Sequence, residues 1–244
     1  MAKYGMVIDL DRCVGCQACM VACKAQWQTP EDYFRTWVKH IGPVQIKDEM
    51  VFTSYVGQCN HCDDPPCVPA CPTQATFKDT ETGIVLVDCD LCIGCGYCVE
   101  ACPYGARFIN PVTKKVEKCD FCYPRLGEEG PACVKTCIVS AKIFGDLENK
   151  DSYISKKISE GNTYVIATKE VNPGPNVYYK GRRSKIEAII KNYPPKKKDI
   201  LPAKIWSNIL RPFVILGAGA TFIGSLVAYL FQINQGEKEG EDEE

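Results

Sequence analysis

The chain has 244 residues and a formal net charge of −1 at pH 7. A surface that binds nucleic acid normally shows as a strong excess of Lys and Arg, so this balance argues against nucleic acid as a principal partner. The length allows one large core or two small ones. All 17 cysteines lie in the stretch from Cys13 to Cys137.

The N-terminal part of the sequence predicts a strand that leads into the first of four cysteine quartets. The predicted strand is Tyr4–Asp9 (YGMVID), a short run that is rich in apolar residues. Residues 20–26 predict a helical turn, and residues 31–39 predict a short helix with aromatic anchors. The first quartet follows the predicted strand and reads Cys13-x2-Cys16-x2-Cys19-x3-Cys23.

The next two quartets are separated by only 20 residues. The second reads Cys59-x2-Cys62-x4-Cys67-x3-Cys71. The third, followed by proline, is the ligand run of bacterial ferredoxins for a 4Fe-4S cluster and reads Cys92-x2-Cys95-x2-Cys98-x3-Cys102. Glycines between ligands allow the tight turns that point backbone N–H groups at cluster sulfurs. They are Gly15, Gly94 and Gly96.

The fourth quartet has a long Gly/Pro-rich gap, and all four quartets open with x2 and close with x3. Residues 83–87 predict a strand before the third quartet. Residues 106–118, with a turn near Asn110 and Pro111, predict a hairpin before the fourth. The fourth quartet reads Cys119-x2-Cys122-x10-Cys133-x3-Cys137.

Four such quartets predict iron–sulfur clusters and electron transfer. In a two-cluster ferredoxin the fourth cysteine of each run ligates the other cluster, so the runs are expected to pair. The pairs are either nested or adjacent, and the spacing leaves both open. Disulfides are disfavoured by the odd number of cysteines, and zinc is disfavoured by the triple CxxCxxC runs and the scarcity of histidine.

Other residues near the quartets have plainer interpretations. Cys89, the seventeenth cysteine, is predicted to be a packed or spare thiol. His61, inside the second run, is predicted to be a loop residue or a hydrogen-bond donor to sulfur. Four cations near ligands could raise cluster potentials, but each is expected to be a solvated surface charge. They are Lys24, Arg107, Lys118 and Arg125.

The region after the quartets contains no cysteine. Residues 163–168 and 176–180 predict strands, and residues 182–192 predict a helix with isoleucines on one face. We assign residues 148–208 to docking on partner subunits.

Residues 212–233 form an uncharged apolar stretch. As a helix it would be about 33 Å long, enough to cross a hydrocarbon core of about 30 Å. Small residues recur on one face, which predicts close packing against a partner helix. The span has no histidine, so we expect haem or quinone chemistry to belong to another subunit.

The flanks of this stretch differ in charge. Lys and Arg precede it and an acidic tail follows, so the positive-inside rule predicts that the cluster domain lies on the cytoplasmic face. The alternative is the outer face, reached by co-export with a partner subunit that carries a twin-arginine leader.

The cysteine motifs resemble those of the four-cluster iron–sulfur (beta) subunits of membrane-bound molybdopterin oxidoreductases. This family includes subunits of dimethyl sulfoxide, polysulfide, thiosulfate and tetrathionate reductases and of formate dehydrogenases. The resemblance covers residues 4–147, and the motifs are IDLDRCVGCQACMVACKAQ, CNHCDDPPCVPACPTQAT, DLCIGCGYCVEACPYGARF and EKCDFCYPRLGEEGPACVKTCIVSAKIFGDL.

The resemblance implies nested pairing and four complete 4Fe-4S clusters. One centre would be held by Cys13, Cys16, Cys19 and Cys137, and another by Cys119, Cys122, Cys133 and Cys23. The remaining two would be held by Cys59, Cys62, Cys67 and Cys102, and by Cys92, Cys95, Cys98 and Cys71.

The expected fold is α+β, with two nested two-cluster ferredoxin-like modules in residues 1–147. The inner module, 59–102, is inserted in the outer one. The docking region follows, then a transmembrane helix in residues 209–233 and an acidic tail in residues 234–244.

The expected function is electron transfer without catalysis by this chain itself. Electrons would pass between a molybdenum- or tungsten-pterin catalytic subunit and an integral membrane subunit that reacts with quinone, with lipid around the anchor. The alternatives are the equivalent subunit of a membrane-bound nickel–iron hydrogenase, or a self-standing membrane-tethered ferredoxin.

Overall fold

The computed structural model describes residues 2–127 and 130–197, together with Thr221 and Ser225. The chain divides into two units, Met1–Ile200 and Leu201–Glu244. Apart from Thr221 and Ser225, which are helical and joined by a hydrogen bond, the predicted membrane span and acidic tail lie outside the described residues. Within the described residues, no helix combines the length and apolarity needed to cross a membrane.

Short strands and helices alternate through the first unit, as predicted for an α+β fold. The strands are β1 (Tyr4–Asp9), β2 (Thr36–Ile46), β3 (Glu49–Gln58), β4 (Thr76–Lys78), β5 (Val85–Val87), β6 (Arg107–Ile109), β7 (Val116–Lys118), β8 (Lys142–Asp146), β9 (Thr163–Val165) and β10 (Val177–Lys180). The helices are α1 (Ala18–Trp27), α2 (Tyr97–Ala101), α3 (Ala132–Lys135), α4 (Tyr153–Ser159) and α5 (Arg183–Asn192), with a 3-10 turn at Tyr123–Arg125.

A four-stranded sheet in the order β8-β1-β10-β9 forms the centre of the first unit. The strand predicted at the N-terminus is confirmed as β1, and its residues Met6, Val7 and Ile8 are fully buried. Both faces of β1 are covered, because Val7 packs with Ile154 of α4 while Met6 and Ile8 join the main core. A strand that is buried on both faces has a continuous run of apolar residues instead of an alternating pattern, and this explains the sequence YGMVID.

The cysteine-free region completes this sheet. The predicted strands and helix are confirmed as β9, β10 and α5. Strand β10 pairs in parallel with β1 and antiparallel with β9. Helix α5 buries Ile186, Ala188 and Ile189 against the hairpin of β2 and β3. Docking of this region on partner subunits stays a prediction.

The helix predicted over residues 31–39 is wrong. From Thr36 the chain forms β2, which pairs antiparallel with β3. Thr36 and Val38 are buried, with the partly buried Trp37 between them. This period-two pattern of β-branched and aromatic residues favours a strand once a partner strand is available. The same aromatic residues also suit one face of a helix, which explains the wrong prediction.

Two hairpins with three-residue strands separate the last three quartets, one before the third quartet and one before the fourth. Strand β4 pairs with β5, and β6 pairs with β7, both antiparallel. The second is the hairpin predicted over residues 106–118, and β5 is the strand predicted at 83–87. These hairpins are too short to be stable alone, so they depend on the loops around them.

Candidate iron–sulfur centres

Every cysteine of the chain is a free thiol in the structure. Most of those in the four quartets are buried or half-buried, and only Cys16 and Cys95 among them are exposed. The leftover Cys89 is also exposed, so it is a spare thiol and not a packed core residue.

The loop between the first two cysteines of each quartet turns at the same position. The residue two places after the first cysteine has a left-handed φ in all four loops: Gly15 (70°), His61 (44°), Gly94 (70°) and Phe121 (55°). Glycine adopts this conformation at no steric cost, which explains why two loops contain it. A side chain in left-handed backbone costs about 1–2 kcal/mol, so His61 and Phe121 need compensation.

His61 and Phe121 stack on each other in the interior of the first unit. Their ring centroids lie 3.8 Å apart, and both side chains are buried. The backbone N–H of Val85 donates to His61 Nδ1 at 3.0 Å. Burial, followed by the charges of Lys118 and Arg107, holds the pKa of His61 well below its usual range. His61 is therefore a neutral loop residue, and the stack offsets strain in both loops, since such pairs stabilise by about 0.5–1.5 kcal/mol.

The fourth cysteine of each of the last three quartets accepts a backbone hydrogen bond. Three residues after that cysteine the chain again turns left-handed, at Gln74, Gly105 and Ser140. The turn brings a later backbone N–H onto the sulfur. The pairs are Thr76 to Cys71 (3.5 Å), Ala106 to Cys102 (3.4 Å) and Ala141 to Cys137 (3.2 Å).

The structure brings cysteines from distant quartets together. Cys23 of the first quartet lines one enclosed cavity with three cysteines of the fourth quartet, Cys119, Cys122 and Cys133. After burial, charge interaction with the nearby Cys137 is among the causes that raise the pKa of Cys13, and interaction with Cys102 acts in the same direction on Cys62.

Burial sets the protonation of the thiols. It raises the pKa of Cys23 to about 12 and that of Cys67 to about 11, although the Arg107 guanidinium opposes the shift at Cys67. At Cys71 burial acts upward too, but the backbone N–H groups of Thr76 and its neighbours lower the pKa overall. Without iron, Cys23 and Cys67 are thus protonated at neutral pH. Iron binding requires thiolates, so metal binding releases protons here.

Two of the four cations that were expected to be solvated are buried, so that expectation is wrong for Arg107 and Lys118. They are 4% and 3% exposed. Arg107 donates from Nη2 to Cys67 Sγ at 3.0 Å, and Lys118 donates from Nζ to the Cys119 carbonyl oxygen at 2.8 Å. Lys24 instead binds backbone carbonyls of the Pro30–Tyr33 turn.

A further buried cation, Lys142, was missed in the sequence. It is 4% exposed and donates to Gln58 Oε1 at 2.8 Å. Burial alone would lower the pKa of Lys142, but charge interactions with Cys133 and Cys19 raise it above its usual range. In the sequence this lysine is marked only by its place five residues after Cys137, and its burial depends on the long-range pairing of β8 with β1.

The buried cations test whether iron–sulfur clusters fit. A buried charge is costly unless it is paired, and the anionic groups near Arg107 and Lys142 are the cysteine sulfurs. Neutral thiols would leave both cations unpaired, whereas thiolates on iron, together with inorganic sulfide, supply negative charge. The donor set, all sulfur with buried cations and backbone N–H donors around it, fits 4Fe-4S clusters.

Exposure separates two kinds of quartet. The second cysteine is exposed in the first and third quartets, at Cys16 and Cys95, but buried in the second and fourth, at Cys62 and Cys122. Large apolar side chains surround the two exposed cysteines in sequence. They are Val14, Val21, Leu91 and Ile93, all more than half exposed.

Over residues 2–127 and 130–197, no three His, Cys, Asp or Glu side chains are grouped around a point where one metal ion could sit. A 4Fe-4S cluster does not require three ligands around one point, because each of its four thiolates binds a different iron atom.

Comparison with known proteins gives the family. Two models, each described as a 4Fe-4S dicluster domain, match residues 12–75 and 49–147. The B subunit of tetrathionate reductase from Salmonella typhimurium is 47% identical over 184 residues, which is 73% of this chain and 72% of that protein. The B subunit of polysulfide reductase from Wolinella succinogenes is 45% identical over 165 residues, 66% of this chain and 85% of that one. The protein belongs to the iron–sulfur beta subunits of the molybdopterin oxidoreductases.

This family spans distant organisms. The tetrathionate reductase B subunit from Archaeoglobus fulgidus is 43% identical over 177 residues, 72% of this chain and 81% of its own. As a member, this beta subunit is an electron-transfer protein that binds 4Fe-4S clusters. Both dicluster matches fall inside residues 1–147, where the sequence placed the cysteine quartets.

Gly94→Ala is expected to damage the third quartet of this beta subunit. A Cβ at Gly94 would lie 2.1 Å from the Lys114 carbonyl oxygen, in backbone with φ of 70°. The purified variant should therefore contain less iron per chain than the wild type and melt at a lower temperature.

Gly105→Ala is the matched control, since its φ is also positive but a Cβ there meets no atom within 4 Å. It should retain its iron, and its free energy of unfolding should fall only by the cost of a side chain in left-handed backbone, about 1–2 kcal/mol. Equal iron content in the two variants would contradict the steric account of the ligand loop.

Proposed function

We propose that this beta subunit holds four 4Fe-4S clusters in nested pairs and passes single electrons along them. The inner module contributes two centres and the outer module two. The ligand sets are Cys13, Cys16, Cys19 and Cys137; Cys119, Cys122, Cys133 and Cys23; Cys59, Cys62, Cys67 and Cys102; and Cys92, Cys95, Cys98 and Cys71.

The cavity around Cys23 is the observation that best supports the nested arrangement. Adjacent pairing would join Cys23 to the second quartet, yet the cysteines that line the cavity with it are Cys119, Cys122 and Cys133. The interactions of Cys13 with Cys137 and of Cys62 with Cys102 point the same way. Chain crossing of this kind is what two-cluster ferredoxins do.

The exposure pattern supports a wire with two ends. The centres that contain Cys16 and Cys95 reach the surface, whereas those that contain Cys62 and Cys122 are enclosed. Electrons therefore enter at one exposed centre, cross the two enclosed centres and leave at the other. The exposed apolar side chains beside each end suit protein contacts, since large exposed apolar patches mark interaction sites.

The partners follow from the family. One end would face a catalytic subunit with a molybdenum or tungsten pterin, and the other a membrane subunit that reacts with quinone. The relatives named above are reductase subunits, which favours this partner over a hydrogenase. The clusters supply one-electron redox chemistry, and the chain holds, spaces and insulates them without a catalytic site of its own.

The uncharged stretch at residues 212–233 supports membrane anchoring. Its length matches a bilayer core, and the flanking charges favour a cluster domain on the cytoplasmic face. Export with a partner subunit is the competing route, and it would place the same domain on the outer face.

The nested pairing is tested by matching single substitutions to spectroscopic signals. Cys23→Ser and Cys133→Ser should alter the same cluster signal in electron paramagnetic resonance (EPR) spectra of the reduced complex. Cys67→Ser should alter a different one. The spare-thiol variant Cys89→Ser should leave every signal unchanged. If Cys23→Ser and Cys67→Ser altered one common signal, adjacent pairing would replace nested pairing.

Membrane anchoring is tested on a soluble reporter protein. Fusion of residues 209–244 to its C-terminus should keep the reporter in the membrane fraction through an alkaline carbonate wash, because the apolar helix is embedded in lipid. Fusion of residues 234–244 alone is the control and should leave the reporter soluble. Release of the longer fusion by carbonate would show that this segment does not span the bilayer.

A further inference from the structure

Two buried cations occupy the same place relative to a fourth cysteine. Arg107 and Lys142 each lie five residues after that cysteine, at the start of β6 and β8. In both cases a left-handed turn and a buried alanine precede the cation. The turn that delivers a backbone N–H to sulfur thus also directs the next side chain into the interior.

Arg107 is fixed between the two quartets of the inner module. Its Nη2 donates to Cys67 Sγ at 3.0 Å and its Nη1 donates to Thr76 Oγ1 at 3.1 Å. Besides Cys67, charge interactions with Cys59 and Cys98 favour its charged form. Two directed hydrogen bonds hold the guanidinium in place, so its position does not depend on solvent.

Lys142 has the corresponding place in the outer module. Its Nζ donates to Gln58 Oε1 at 2.8 Å, and Gln58 Nε2 in turn reaches Met6 Sδ at 3.2 Å. Its largest charge interactions are with Cys133 and Cys19. Like Arg107, the lysine lies between an enclosed and an exposed centre, with more ligands of the enclosed one around it.

The two buried cations affect how easily a nearby cluster is reduced. Adding an electron makes a cluster more negative, and burial away from water opposes that added charge. A fixed cation in the same low-dielectric interior favours the reduced form, as does a hydrogen bond to a ligand sulfur. The enclosed centres lack the solvation that the exposed centres have, so they depend most on such a charge.

We propose that Arg107 and Lys142 are potential-setting residues, each of which raises the reduction potential of one enclosed centre. Arg107 acts on the centre of Cys59, Cys62, Cys67 and Cys102. Lys142 acts on the centre of Cys119, Cys122, Cys133 and Cys23. Both cations offset part of the cost that burial imposes on reduction of the enclosed centres. This inference rests on the proposed ligand sets.

The test is an anaerobic redox titration of the intact complex, followed by EPR, with iron measured on each sample. Arg107→Gln should lower the potential of one centre and leave the others in place. The expected size is at least about a tenfold fall in that centre's reduction equilibrium constant, or about 59 mV for one electron. Lys142→Gln should lower the potential of a different centre.

Two further variants separate charge from structure. Arg107→Lys keeps a cation but loses the fixed fork, so its shift should be in the same centre and smaller. Lys39→Gln removes an exposed charge and should change each equilibrium constant less than twofold.

Full iron with four unchanged potentials in either glutamine variant would overturn the assignment for that residue. If Arg107→Gln fails to assemble, an unchanged potential in Arg107→Lys would overturn the assignment of Arg107; if Lys142→Gln fails to assemble, an unchanged potential in Lys142→Met would overturn the assignment of Lys142. Absence of clusters from the wild-type complex would instead refute the proposed function itself.

Discussion

Charge balance between buried sulfur and buried cations is the constraint on which the rest of this structure depends. Arg107, Lys118 and Lys142 are each almost wholly removed from water. Burial keeps thiols such as Cys23 protonated until metal binds. The buried cations would therefore have no negative partner without the clusters, and unpaired buried charges are strongly unfavourable. Cluster binding and folding are therefore one process in this protein.

The remaining elements hold this balance in place. Strand β1 runs into the first ligand loop, and β8 returns beside it after the last quartet. The pairing of β1 with β8 joins the two strands that flank the cysteine region, and the paired residues are more than 130 positions apart in the sequence. It brings the first and fourth quartets near each other and carries Lys142 inward. Strand β10 then extends the sheet beside β1, and helix α5 packs against the long hairpin of β2 and β3.

The second and fourth quartets, which contain the buried second cysteines, differ from the other two in loop length and in the residue at the left-handed turn. The second and fourth quartets have longer gaps before their third cysteine, and they place His61 and Phe121 where the shorter loops have glycine. The stack of these two rings fills the space between the quartets with a neutral, rigid contact. A solvated loop at that position would instead expose the neighbouring buried cysteines to water, and water would then stabilise negative charge on their sulfurs.

Local features of the sequence predicted much of this fold. Strand β1, the hairpin of β6 and β7, and helix α5 follow from short-range patterns, and the ligand loops follow from cysteine spacing and glycine. The long hairpin of β2 and β3 could not be seen this way, because Thr36 and Val38 become strand residues only when β3 pairs with them. The burial of Arg107 and Lys142 was equally hidden, since charge in a sequence indicates solvent unless its partners are known. The stack of His61 on Phe121 joins residues 60 positions apart.

The number and type of clusters are the most direct test of this account. We would measure iron and acid-labile sulfide per chain in the anaerobically purified, detergent-solubilised complex, and identify the subunits that co-purify. About sixteen of each per chain, the sum of four 4Fe-4S centres, alongside a molybdopterin subunit is the predicted result. About eight of each, or zinc in place of iron, would contradict a four-cluster wire.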